Sequence, residues 1–341
     1  ERLDGFLATA LEGEGRVVFV TGGPGRGKTA LLDEFARRAM DKYPDLLVAS
    51  GNCNAYSGVG DPYLPFRDVM AMLTGDVEAR WAAGAITREH ARRLWAELTV
   101  VAQALAERGP HLLDVFLPGA ALLSRAEAAA GDGTPWLGRL REHVQGQRAS
   151  SAGLEQNHLF QQFTNVLDVV AEEHPLLLVL DDVQWADSAS CGLLFHLGRR
   201  LASAGSRVLI ACAYRPEELA LGRPSTLPTV AGQVERHPLD KVLAEFKRVF
   251  GDVWVDLVQV KGTEGRRFVD AYLSTEPNRL SEGFRDTLAS HTGGHPLFTV
   301  ELLRAMQERG DLVQDADAGG AWVQGPALDW ETLPARVEGV I

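Results

Sequence analysis

The chain has 341 residues, with 34 Lys or Arg against 46 Asp or Glu, for a net charge of −12. That acidity argues against nonspecific attraction to nucleic acid or an anionic membrane. A composition of 45% hydrophobic and 23% charged residues excludes a disordered or fibrous chain.

Three scattered cysteines, Cys53, Cys191 and Cys212, offer neither a disulfide framework nor zinc spacing, and fit a reducing cytoplasmic setting. The sequence carries no apolar run near the roughly 18 residues that a membrane helix needs. A helical pattern is already under way at Glu1 to Leu7, and an apolar one stops at Leu333 to Ile341. The chain therefore reads as a segment of a longer protein.

In chain order, Val17-Val18-Phe19-Val20 is short and β-branched, as a strand buried on both faces should be. A Gly-rich turn follows, then a predicted helix from Lys28 to Met40 and a second strand at Leu46 to Ala49. Strand, turn, helix and strand make a βαβ unit and predict a parallel sheet. Residues 62 to about 153 read as a helical insertion, in which Leu94, Leu98, Val101 and Leu105 lie on one stripe. The run Leu176 to Leu180 predicts a central strand, Val208 to Ala213 another, and Val253 to Leu257 a last one. From Arg266 the pattern is helical, with a hairpin around residues 317–320.

Two constellations carry chemistry. Gly22-Gly23-Pro24-Gly25-Arg26-Gly27-Lys28-Thr29 satisfies G-x-x-x-x-G-K-[ST], between a buried strand and a helix. Side chains would block the approach of phosphate oxygens to successive backbone N–H groups, so glycines are needed there. Lys28 would reach the β- and γ-phosphates, Thr29 would bind Mg²⁺, and Ala30 follows on the helix. An overlapping dinucleotide pattern lacks the acidic residue after the second strand, where Ser50-Gly51-Asn52-Cys53 stands. The second constellation is Leu176-Leu177-Leu178-Val179-Leu180-Asp181-Asp182, an apolar strand ending in paired carboxylates. Asp181 is placed to hold Mg²⁺ and Asp182 to act as general base. Arg215, just past the next strand, either senses a γ-phosphate or pairs with Asp182 or Asp187.

Together these elements resemble the signal-transduction ATPases with numerous domains (the STAND class) within the AAA-like P-loop ATPases. The nearest likeness is to the ATPase module of MalT-like and LuxR-type regulators and of some adenylate cyclases. It is carried by GGPGRGKT at 22–29, PYLPF at 62–66 and LLLVLDDVQWAD at 176–187. It continues with ACAYRPEEL at 211–219, HTGGHPLFTVELL at 291–303 and LPARVEGVI at 333–341.

The resemblance implies an α/β fold: a P-loop NTPase whose parallel sheet is sandwiched by helices, with a helical insertion and a C-terminal helical lid. It divides the chain into a nucleotide-binding domain at 1–259, a lid at 260–310, and a hairpin opening a truncated winged-helix region at 311–341. It implies that His295 and Pro296 of Gly294-His295-Pro296 lie against adenine. It further implies a slow, Mg²⁺-dependent ATPase acting as an ATP/ADP switch in a signalling or transcription-regulating protein. An inducer and attached effector domains would be its partners, with room for ATP-dependent self-association and no direct contact of this segment with nucleic acid or membrane. The alternatives are a ring-forming AAA+ machine and a catalytically silent nucleotide-bound module.

Overall fold

A computed structural model of the chain describes residues 1–54, 62–130, 134–146, 156–202, 205–224, 234–257, 263–315, 319–326, 328 and 330. The linker expected at Arg148 to Gly153, the winged-helix start at 331–341 and part of the turn at 317–320 lie outside the described residues.

In chain order, α1 (Arg2–Leu11) leads into β1 (Glu14–Thr21), α2 (Lys28–Lys42) and β2 (Leu47–Asn52). A helical stretch follows: α3 (Leu64–Leu73), α4 (Glu78–Ala82), α5 (Arg88–Ala96), α6 (Leu98–Arg108), α7 (Gly119–Ala129) and α8 (Pro135–Gly146). The chain returns through α9 (Gln156–Glu173), β3 (Leu176–Asp181), α10 (Ser188–Leu201) and β4 (Ser206–Tyr214). Next come α11 (Pro216–Ala220), a short antiparallel pair β5 (Arg223–Pro224) and β6 (Val234–Glu235), α12 (Pro238–Phe250) and β7 (Trp254–Asp256). The last elements are α13 (Thr263–Leu273), α14 (Glu282–Thr292), α15 (Pro296–Arg309) and the hairpin β8 (Leu312–Asp315) with β9 (Ala321–Gln324).

Five strands form one sheet in the order β2-β3-β4-β1-β7, with β2–β3, β3–β4 and β4–β1 all parallel. Val17 to Val20 and Leu176 to Leu178 are fully buried. Strands covered on both faces are why these runs are continuous rather than alternating. Helices α1, α3, α9, α10 and α12 pack around the sheet. Under β1, the Phe19 ring stacks on Trp254 at 5.4 Å and meets Tyr214 edge-on at 5.9 Å. Registers Asn52↔Asp181, Leu180↔Cys212 and Thr21↔Tyr214 bring the carboxyl ends of four strands to one edge of the sheet. In open α/β sheets ligands bind at that edge.

The stripe Leu94, Leu98, Val101 and Leu105 is buried as the spacing predicts, but on two helices rather than one. Glu97, at φ −94 and ψ 0, ends α5 and begins α6. Its carboxylate sits 2.9 Å from His174 Nε2 at the end of α9. A one-residue kink keeps the apolar stripe on the same core, so periodicity alone does not reveal it. Helix α12 and the pair β5–β6 are further elements that the strand-and-helix pattern left unread.

By its internal contacts the chain forms two compact units: residues 1–21 with 29–255, and residues 22–28 with those from 256 onward. The second unit has its own core of Val269, Phe284, Leu288, Leu302, Leu303 and Met306. No described helix is long and apolar enough to cross a membrane.

Candidate functional site

The first unit holds the acidic strand end. Asp181 is the last residue of β3, and both its oxygens are engaged. Oδ1 accepts the Asp182 N–H at 2.8 Å, and Oδ2 accepts the Thr29 hydroxyl at 2.5 Å. Residues 152 positions apart thus present a hydroxyl and a carboxylate side by side. Asp33, one turn along α2 from Thr29, has its pKa raised by desolvation first and by the charge of Asp181 second. Hard oxygen donors with a local excess of negative charge suit Mg²⁺, which usually takes one or two protein oxygens and completes its shell with water and phosphate. Among the described residues no cluster of three metal-binding side chains exists. Thr29 and Asp181 fit a cation held jointly with a polyphosphate.

Asp182 begins the tight turn Val183–Trp185 in the left-handed region, at φ +51 and ψ +39. Its Oδ1 accepts from Gln184 Nε2 at 2.7 Å and lies 3.6 Å from Arg215 Nε. Arg215 thus stands beside Asp182. Asp187 is occupied otherwise. It caps α10 by accepting from Ala189 N at 2.8 Å and Ser190 N at 3.0 Å, and it also accepts from Tyr63 N at 3.2 Å. Tyr63 and Phe66 of PYLPF pack against Phe116 and Phe163. Residues 55–61, which precede PYLPF, lie outside the described residues.

The second unit holds the glycine loop and helices α13 to α15. Gly25 and Gly27 take φ of +66 and +82, which side chains rarely adopt. Lys28 is 6% exposed, and its ammonium donates to Gly22 O at 2.8 Å and Gly23 O at 2.9 Å. The loop is thereby curled around the cation that would meet phosphate. Pro24 is exposed, and its carbonyl faces His295 Nε2 at 3.2 Å. The Leu297 N–H donates to Gly25 O at 3.2 Å. A Cβ on Gly25 would stand 2.8 Å from Leu297 Cβ and 2.9 Å from His295 Cε1.

Gly293 caps α14 at φ +57, Gly294 follows at φ +67, and Pro296 occupies the first turn of α15. Glycines after one helix and proline opening the next follow the ordinary capping asymmetry. His295 stacks on Phe298 at 4.2 Å. Its pKa is lowered by desolvation first and then by Arg26, against the bond to Pro24. With Nε2 donating to Pro24, Nδ1 is the bare nitrogen, and it is buried with no hydrogen-bond partner.

The structure thus gathers Thr29 with Asp181, Asp182 with Arg215, and Pro24 and Gly25 with His295 and Leu297. Sequence reasoning passed over Gln184, although it stands inside the quoted DDVQWAD run. It also passed over His237, whose only signal was the Pro238 that starts α12.

A strand, a glycine loop ending in Lys28-Thr29, a helix, and an acidic strand one place removed in the sheet define a P-loop NTPase. The family model described as "AAA ATPase domain" matches residues 1–210, and the chain belongs to that family. A comparison with curated protein sequences finds no match. Among solved structures, Cdc6p from Pyrobaculum aerophilum is 13% identical with a TM-score of 0.40, over 91% of this chain and 61% of that one. The Pif1 helicase from Candida albicans is 14% identical with a TM-score of 0.29, over 86% of this chain and 47% of that one. The chain thus spans less than two thirds of either.

Proposed function

We propose that this ATPase domain is an ATP/ADP-binding regulatory switch of the STAND class, with slow Mg²⁺-dependent hydrolysis. We place it in the cytoplasm, within a larger signalling or transcription-regulating protein. The observation that carries the reading is the pair of hydrogen bonds from His295 and Leu297 to the carbonyls of Pro24 and Gly25. Phosphate entering the loop must act on the same backbone that the lid segment grips. A nucleotide with unequal affinity for the gripped and released states shifts their populations, by tenfold for each 1.4 kcal/mol or so of difference. The three buried cysteine thiols support the cytoplasmic setting.

In this reading Lys28 exchanges its bonds to Gly22 O and Gly23 O for the β- and γ-phosphate oxygens. Thr29 and Asp181 hold Mg²⁺, which when bound neutralises charge on the phosphates. Asp182 accepts a proton from the attacking water, and Arg215 meets the γ-phosphate. His295 and Pro296 face the adenine. The division is a nucleotide-binding domain at 1–259, a lid at 260–310, and a hairpin with the start of a winged-helix region at 311–341. An inducer and attached effector domains would be partners, with self-association in the ATP state.

The test is to denature the purified protein and chromatograph the released nucleotide, in the parent and in Lys28→Ala. Bound ADP or ATP in the parent, lost in the variant, is expected, with single-turnover hydrolysis far slower than that of a motor. A parent that neither carries nor binds either nucleotide would refute the switch. Brisk multiple turnover that rises with protein concentration would favour a ring-forming machine instead. Hydrolysis at background in both parent and Asp182→Asn would mark a silent module.

A further inference from the structure

A buried amide sits behind the acidic strand end. Gln184 is 2% exposed in the turn after β3, and its side chain links two residues of the site. Nε2 donates to Asp182 Oδ1 at 2.7 Å, and Oε1 accepts the Arg215 N–H at 3.1 Å. The amide's orientation follows from its neighbours, since a carboxylate can only accept and a backbone N–H can only donate. No other side chain of this length offers a donor at one terminal atom and an acceptor at the other. Glutamate would set a second carboxylate against Asp182, and methionine would offer neither bond.

The backbone of Gln184 is held from a third element. His237 is 2% exposed; its Nδ1 accepts the Leu239 N–H at 3.1 Å as the cap of α12, so the proton is on Nε2. That Nε2 donates to the Gln184 carbonyl at 2.8 Å. The turn after β3, the tip of β4 and the start of α12 therefore meet at one residue.

We infer that Gln184 is a positioning residue for hydrolysis. Its amide N–H anchors Oδ1 of Asp182, while Arg215 Nε stands 3.6 Å from the same oxygen as a charge without a hydrogen bond, and Oδ2 is left as the oxygen that receives the proton of the attacking water. Through the Arg215 N–H it also fixes where the guanidinium leaves β4. Preorganising a base by a neighbour that it does not itself react with is what such a shell contributes to catalysis. The inference rests on the reading of Asp182 as general base.

The experiment compares Gln184→Met, Gln184→Glu and Asp182→Asn in the whole chain, with melting temperature as the folding control. Both Gln184 variants should lose tenfold or more in kcat while KM for MgATP changes far less, because Lys28, Thr29 and Asp181, which Gln184 does not touch, hold most of the nucleotide and Arg215 meets only its γ-phosphate. Combining Gln184→Glu with Asp182→Asn swaps amide and carboxylate. It should restore the melting temperature lost in Gln184→Glu without restoring hydrolysis, which identifies the bonded pair. A Gln184→Met variant that turns over within twofold of the parent, or faster, overturns the inference while Asp182→Asn remains inactive. Parental turnover in Asp182→Asn overturns the base assignment, and the positioning role falls with it. Should Gln184→Glu fail to fold, Gln184→Met, which preserves length and neutrality, decides the outcome.

Discussion

Gly25→Ala is the sharpest probe of the contact between the glycine loop and the start of α15. The added methyl would stand 2.8 Å from both Leu297 Cβ and Cδ2, and 2.9 Å from His295 Cε1. Leu297 Cβ is fixed to α15, so no side-chain rotation removes the clash, and trimming the side chain by Leu297→Ala would not rescue it. Overpacking of this kind costs about 1–3 kcal/mol. The further cost of an alanine at φ +66, about 1–2 kcal/mol, applies whether or not α15 contacts the loop, and cancels from the release of that contact. Release should therefore become easier by about 1–3 kcal/mol, which is roughly 5- to 150-fold. Hydrogen exchange of the Leu297 amide reads this directly, because its acceptor is Gly25 O. Gly27→Ala is the control. Its φ is +82, but an added Cβ meets nothing within 4 Å, so protection at Leu297 should stay within threefold. Parental protection in Gly25→Ala, to within twofold, would refute the steric reasoning.

Three other outcomes are expected. Asp181→Asn should abolish the Mg²⁺ enhancement of nucleotide binding, seen as equal affinity with and without EDTA in titration calorimetry, since Thr29 alone cannot hold the cation. Asp187→Ala removes a helix cap worth about 0.5–2 kcal/mol and strands the Tyr63 N–H, at about 1–3 kcal/mol. Together these should lower stability by about 1.5–5 kcal/mol in urea unfolding. Finally, the grip of His295 on Pro24 should weaken in acid. Burial and Arg26 hold the ring's pKa below its usual value, so the released state binds a proton that the gripped state resists. The contribution is complete above the ordinary histidine pKa of about 6.5 and is lost as pH falls through and below it. Leu297 protection, corrected for intrinsic exchange, should fall between pH 7.5 and 5.5 in the parent, and much less in His295→Gln.

The local chemistry could be read from the chain because it is local. Eight consecutive residues make the glycine loop, and an apolar run ending in two aspartates announces its own sheet position. The caps on α10, α14 and α15 are likewise written within a few residues of where they act. The kink at Glu97 was hidden because an apolar stripe survives it. Helix α12 carries local signals of its own, Pro238 in its first turn and Leu239, Val242 and Phe246 at helical spacing, and what was hidden is the bond from His237 to the Gln184 carbonyl, 53 positions away.

Strand content, then, is a property of the amino-acid order: a continuous β-branched run is buried wherever it pairs. Strand neighbours are not, because parallel pairing joins segments far apart in sequence, and hydrophobic runs of similar length are interchangeable until the helices pack. Folding the chain places β4 between β1 and β3, which sets Arg215 against Asp182 rather than Asp187 and brings the Thr29 hydroxyl to Asp181. It also turns Gln184 inward, where an amide must find one donor and one acceptor to be buried without loss.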